Sequence, residues 1–192
     1  DVEAGREERP FNRTARSESR AWPDPSALDH VLKLVKRAER PVIIGGHGVW
    51  WAKAEGQLET TSKALRIPIF NVPYHSKLLG EECETYMGLA DFHQYHPSKP
   101  AMQEADLVLM IGGRLDNQMN FGNPPFFPAG QTLICINGSH EELEYNQAAD
   151  EVLLSDPGAF LKALTTVERS WESWFDLQRQ RRADWVDDWY EY

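Results

Sequence analysis

The chain has 192 residues, of which 41% are hydrophobic and 13 are glycine, an ordinary globular composition that excludes disorder of the whole chain. Twenty Lys and Arg against thirty Asp and Glu leave a net charge of −10, which lacks the basic footprint of a nucleic-acid or anionic-membrane partner. The uncharged apolar runs, such as 41–49 and 107–113, are far short of the roughly 18 residues a membrane span needs.

Residues 1–24 are rich in Arg and Glu, carry no initiator Met and no apolar leader, and end in Trp22-Pro23-Asp24-Pro25. They are expected to be an interdomain linker cut from a longer chain. Asp24 as N-cap and Pro25 at the first helical position open a predicted helix whose Leu28, Val31, Leu32 and Val35 follow the i, i+3, i+4, i+7 rule. Short apolar runs follow at 41–45, 67–72, 86–89 (weak), 107–111, 132–136 and 152–154. Helical patterns lie between them at 55–65 and 141–145, and another follows Asp156-Pro157 with Phe160, Leu161, Leu164 and Val167 inward. Runs apolar on both faces and alternating with helices predict an α/β fold: a doubly wound, mostly parallel, Rossmann-like sheet with helices on both faces, over residues 25–168. Residues 169–192 place Trp171, Trp174, Phe175, Trp185 and Trp189 among many charges and predict a C-terminal amphipathic helix. Its aromatic face is expected to dock on a missing domain or a second subunit. The alternative is that it folds back over the linker or the sheet's outer helices, with Trp22 as a candidate partner.

Two glycine-rich turns follow predicted strands. Gly45-Gly46-His47-Gly48 stands where a dinucleotide fold turns tightly toward a pyrophosphate, but Trp51 occupies the third glycine position and the second strand ends in Asn71 instead of an acid, so a standard NAD site is not expected. Gly112-Gly113-Arg114-Leu115-Asp116 adds a guanidinium able to grip a phosphate at two points; an Arg114–Asp116 pair that only orders the loop is the plain alternative. Asp91-Phe92-His93-Gln94-Tyr95-His96 offers three nominal metal ligands with no fourth in view, and a surface or interface loop is the expectation there. His47 and His75 have no nucleophile beside them, and neither Gly-x-Ser-x-Gly nor Gly-Lys-Ser/Thr occurs, so no catalytic or metal-binding residue is expected in this chain. Cys83 and Cys135 are too few for a disulfide framework or a four-cysteine zinc site, and two reduced thiols fit a cytoplasmic protein. The same count disfavours the NAD-dependent deacylases that share this sheet type.

Taken in order, 39–48, Leu65-Arg66-Ile67-Pro68-Ile69, Met87-Gly88-Leu89, 105–116, Ala149-Asp150 and Ser155-Asp156 resemble the central domain of thiamine diphosphate-dependent enzymes of the acetolactate synthase type, over about residues 24–167. That resemblance implies a parent enzyme of three domains, a homodimer or homotetramer. There the other domains hold thiamine diphosphate and Mg²⁺, and the cofactor attacks a 2-oxo acid or a related carbonyl. No Gly-Asp dipeptide, with which the family's metal motif begins, occurs here, so the chain alone is expected to be inactive. Central domains of the family carry FAD, an adenine nucleotide such as ADP, or nothing. The family's ligand-lining positions fall on Gly45, Gly46, His47 and Gly48, on Val72 and Pro73, on Met87, Gly88, Leu89 and Ala90, and on Gly113, Arg114 and Asp116. Two departures stand out: Ile136-Asn137-Gly138-Ser139 replaces the acids usual after the fifth strand of flavin-binding members, and Asn117-Gln118 replaces an acid and an arginine. A free-standing adenine-nucleotide or flavin-binding module is the second hypothesis.

Overall fold

A computed structural model describes residues 19–73, 78–93, 97–146 and 148–190. Asp24 opens α1 (Pro25–Arg37), its carboxylate accepting from the backbone N–H of Ser26 and Ala27 at 2.9 and 3.0 Å, while Pro25 occupies a position where no donor is needed. The helix buries Val31 and Val35. It leads into β1 (Pro41–Gly45), followed by α2 (His47–Trp51), α3 (Glu55–Leu65) and β2 (Ile69–Asn71). β3 (Tyr86–Leu89), α4 (Ser98–Glu104), β4 (Leu107–Ile111), β5 (Thr132–Asn137), α5 (His140–Glu144), β6 (Glu151–Leu154), α6 (Pro157–Leu164) and α7 (Glu172–Tyr190) complete the chain.

The six strands form one sheet in the order β3-β2-β1-β4-β5-β6, and every pair is parallel. β1 and β4 lie at its centre in register, Ile43 opposite Leu109 and Gly45 opposite Ile111. All ten of their residues are buried, as a strand covered on both faces requires. β6 is an edge, and there Val152 and Leu154 are exposed. The chain winds from β1 outward to β3, then returns through α4 to β4 on the other side of β1. Winding therefore reverses between β1 and β4, and a crevice opens at their carboxyl ends.

Element positions from the sequence hold, with three additions: α2, α4 and a 3-10 segment at Asn117–Gly122. β2 is shorter than the 67–72 run because Pro68 has no N–H for the ladder, so pairing starts at Ile69.

The tail differs from expectation. Trp171, Trp174 and Phe175 are buried in the core of this domain, and the two indole N–H groups donate to the carbonyls of Ala38 (2.8 Å) and Pro41 (2.9 Å). The Arg66 guanidinium lies 4.0 Å from the centre of the Phe175 ring and is held by Glu172 and Glu84. Further along, Arg181 pairs with Glu104, and Arg182 pairs with Glu81 and lies over the Tyr86 ring. All of these partners sit at or near the amino ends of strands. α7 therefore lies across the edge of the sheet opposite the crevice, and its first half belongs to this domain. Trp22 is 70% exposed, and the adjoining Ala21 is tied through its carbonyl to the N–H of Asp156, after the carboxyl end of β6.

Candidate functional site

The first glycine-rich turn leaves β1 and the second leaves β4, and the two cross so closely that backbone packs on backbone. A Cβ on Gly46 would lie 2.4 Å from the Cα of Gly113, and one on Gly48 would lie 2.7 Å from the Cα of Gly112. Gly112 itself has a φ of +68°, which glycine adopts without strain. The N–H of Gly46 donates to the carbonyl of Ile111 at 2.9 Å and the N–H of Gly48 to that of Gly112 at 2.8 Å. Two amides that a dinucleotide fold turns toward a pyrophosphate are thus satisfied inside the protein.

Around this crossing lies a crevice of about 800 Å³. Its walls come from the carboxyl ends of β1, β4, β5 and β6, and its charged lining consists of Arg20 and Arg114 against Asp116, Glu142 and Asp156. Arg114 does not pair with Asp116. Its Nε and Nη2 donate to the two carboxylate oxygens of Glu142, and its guanidinium carbon stands 4.6 Å from the centre of the Tyr145 ring. The pairing holds the Glu142 carboxyl below its ordinary value, and the Glu142 hydrogen bonds raise Arg114. Asp116 instead accepts from the N–H of Gln118 at 2.9 Å, capping the 3-10 segment. Asp156 caps α6 through the N–H of Ala159 at 3.0 Å and receives Arg20 at 3.4 Å. Trp51, 73% exposed, stands on the rim.

Of the residues expected at a ligand, His47, Gly48, Val72, Gly113, Arg114 and Asp116 line this crevice. Gly45 and Gly46 do not: a Cβ on Gly45 would meet Leu78 and Leu58 of the core, and Gly46 packs on the second turn. Met87, Gly88 and Leu89 belong to β3, two strands from β1, and line no part of it, nor do Pro73 and Ala90. In the nominal metal loop, Asp91 Oδ1 accepts from the N–H of His93 at 2.8 Å, its buried Oδ2 has no hydrogen-bond partner among the described residues, and the His93 ring donates to the carbonyl of Asn117 at 3.0 Å. His75 and His96 lie outside the described residues. Among the described residues no group of three or more His, Cys, Asp or Glu is arranged to hold a metal ion. Cys83 and Cys135 are both free and buried, and burial pushes the Cys135 thiol up to about 12.

Sequence reasoning did not single out Glu142. A signal was present, because Ser139-x-x-Glu142 is a capping-box pattern that places a glutamate in the first turn of the helix after β5. Ser139 does cap α5, its Oγ accepting from the N–H of Glu142 at 3.5 Å.

A doubly wound parallel sheet with a crevice at its switch point defines a Rossmann-like α/β domain. The comparisons then fix the family. The pattern of "Thiamine pyrophosphate enzyme, central domain" matches residues 28–164, and the chain belongs to that family. The chain is 29% identical over 127 residues to 2-hydroxyacyl-CoA lyase 1 of Dictyostelium discoideum, covering 66% of this chain and 20% of that protein. It is 25% identical over 138 residues to a probable acetolactate synthase large subunit of Methanococcus aeolicus, covering 72% and 23%. The fold is shared with benzoylformate decarboxylase from Polynucleobacter necessarius, at a TM-score of 0.67 and 19% identity, covering 81% of this chain and 29% of that one. The chain thus spans about a fifth of the length of the curated relatives it matches. No described helix is long and apolar enough to cross a membrane.

Proposed function

We propose that this chain is the central domain of a thiamine diphosphate-dependent carbon–carbon lyase or ligase, and that its crevice accepts the adenosine diphosphate portion of ADP or FAD. The first part is carried by the family match, which runs from α1 to the end of α6 and so covers every strand of the sheet. Relatives named 2-hydroxyacyl-CoA lyase and acetolactate synthase support cleavage or formation of a bond beside a carbonyl. Thiamine diphosphate with Mg²⁺ supplies the carbanion chemistry for that step, held by other domains of a dimeric or tetrameric parent. This chain supplies a rigid sheet between those domains.

For the nucleotide, support comes from the crevice's place at the switch point and from a volume of about 800 Å³, within the range of small-molecule sites. Arg114 is the residue to meet the diphosphate, and the exposed indole of Trp51 offers a face to the base. Because the Gly46 and Gly48 amides are spent within the protein, guanidinium must do the work that amides do in a dinucleotide fold.

The chain alone, given thiamine diphosphate, Mg²⁺ and either pyruvate or a 2-hydroxyacyl-CoA, should release no product, whereas the full-length protein should turn over one of the two. Turnover by the chain alone that changes with substitutions in it would overturn the assignment. Arg114→Ala should weaken ADP binding by about 1.5–3 kcal/mol through loss of a charge-assisted contact. Equal affinity in both forms would move the site elsewhere.

A further inference from the structure

The crevice already holds an anion against its best cation. Arg114 engages both oxygens of Glu142 in the two-point geometry that a phosphate would otherwise take. We propose that Glu142 is a built-in competitor for the diphosphate, so that a nucleotide diphosphate reaches Arg114 only by displacing this carboxylate. The inference rests on the nucleotide reading above and adds the control of that site.

Of the three carboxylates in the lining, Glu142 alone is free to leave. Asp116 is committed to the Gln118 N–H and Asp156 to the Ala159 N–H, each capping a helical segment. The Glu142 carboxylate bonds only Arg114 among the described residues, and it projects from the five-residue α5 with its side chain 30% exposed. The Tyr145 ring under Arg114 would keep the guanidinium aimed after the carboxylate swings out. Neither neighbouring amide substitutes for Arg114, because the N–H groups of Gly46 and Gly48 are bonded to carbonyls. With Glu142 in place the lining carries two guanidiniums and three carboxylates, a net repulsion for an entering diphosphate; without it the two are equal. Hydrogen bonds from Arg114 hold the Glu142 carboxyl below its ordinary value, so the competitor is charged at neutral pH.

The test is calorimetric titration of the full chain at low salt with ADP, inorganic pyrophosphate and adenosine, comparing wild type with Glu142→Gln and Glu142→Ala. Both variants should bind ADP and pyrophosphate at least about tenfold more tightly than wild type, with adenosine unchanged. A single variant that fails to fold leaves the other to decide. Equal ADP affinity in wild type and variants would overturn the competition while leaving the nucleotide reading standing. No binding of any ligand by any form would overturn both. A gain for adenosine equal to that for ADP would mean that removing Glu142 only makes room, and competition for Arg114 would be wrong. A gain for pyrophosphate without ADP would support the competition and reject the nucleotide.

Discussion

Replacing Gly46 by alanine tests whether the glycine-rich turn exists for a ligand or for the fold. The new methyl would sit 2.4 Å from the Cα of Gly113 and 2.5 Å from the carbonyl oxygen of Gly112. Both obstacles are backbone, so no side-chain rotation relieves the clash and the two turns must separate. Overpacking of this kind costs about 1–3 kcal/mol. Separation also strains the two hydrogen bonds that tie the turns, Gly46 N–H to Ile111 and Gly48 N–H to Gly112, worth about 1 kcal/mol each. The sum is about 3–5 kcal/mol, and at about 2–4 °C per kcal/mol for a chain of this size the melting temperature should fall by about 6–20 °C. Gly56, in α3, is the internal control: a Cβ there meets nothing within 4 Å, and alanine should stabilise by about 0.5–1 kcal/mol. Thermal unfolding by circular dichroism without any nucleotide reads both. Gly46→Ala melting at the wild-type temperature would refute the packing account and return the turn to the ligand.

Two further outcomes are expected. Ending the chain at residue 168 should abolish folding, because it removes buried Trp171, Trp174 and Phe175, each worth about 3–5 kcal/mol, from a total that is usually about 5–15 kcal/mol; an unchanged melting temperature for the shortened chain would show that the tail is an accessory. The Arg114–Glu142 pair should add stability above the ordinary glutamate range, where the unfolded carboxyl is already ionised, and lose it as pH falls through the lower folded value. Solvent limits this to about 0–1 kcal/mol, and Glu142→Gln should flatten that part of the acid limb of stability; identical acid limbs would mean that the pair contributes nothing.

The strands were legible because residues buried on both faces leave short apolar runs, and 41–45 and 107–111 coincide with β1 and β4. Helix starts were legible at Asp24 and Asp156, where a capping carboxylate precedes proline. α2 and α4 were not, since seven residues or fewer, one of them glycine in α2 and proline in α4, show no apolar period. The tail was read as a helix but given the wrong neighbour. Spacing places Trp171, Trp174 and Phe175 on one side of a helix, yet it does not say which surface that side meets. Two features settle the matter in three dimensions and are invisible in one: the indole N–H groups find the backbone carbonyls of Ala38, at the end of α1, and Pro41, at the start of β1, and Arg66, more than a hundred residues away, reaches back to both Phe175 and Glu172.

The glycine pattern shows why a site can be half legible. At a switch point two turns leave adjacent parallel strands in the same direction, and the chain can fit there only if side chains are absent where the turns touch. A pyrophosphate-binding turn needs the same absence for a different reason, to let phosphate approach the amides. The sequence Gly45-Gly46-His47-Gly48 satisfies both demands equally, so its glycines carry no information on which one selected them. What separates the two is where the amide hydrogens point, and those of Gly46 and Gly48 point at carbonyls of the neighbouring turn. Discrimination therefore passes to side chains, and among them Arg114 is informative only together with its partner. The pairing with Asp116, the alternative offered by the sequence, is local, and Asp116 instead caps the 3-10 segment. The pairing found is with Glu142 from the next crossover, a crevice-lining residue outside both glycine motifs, and if the proposed competition holds, the affinity of this site for a diphosphate depends on that residue.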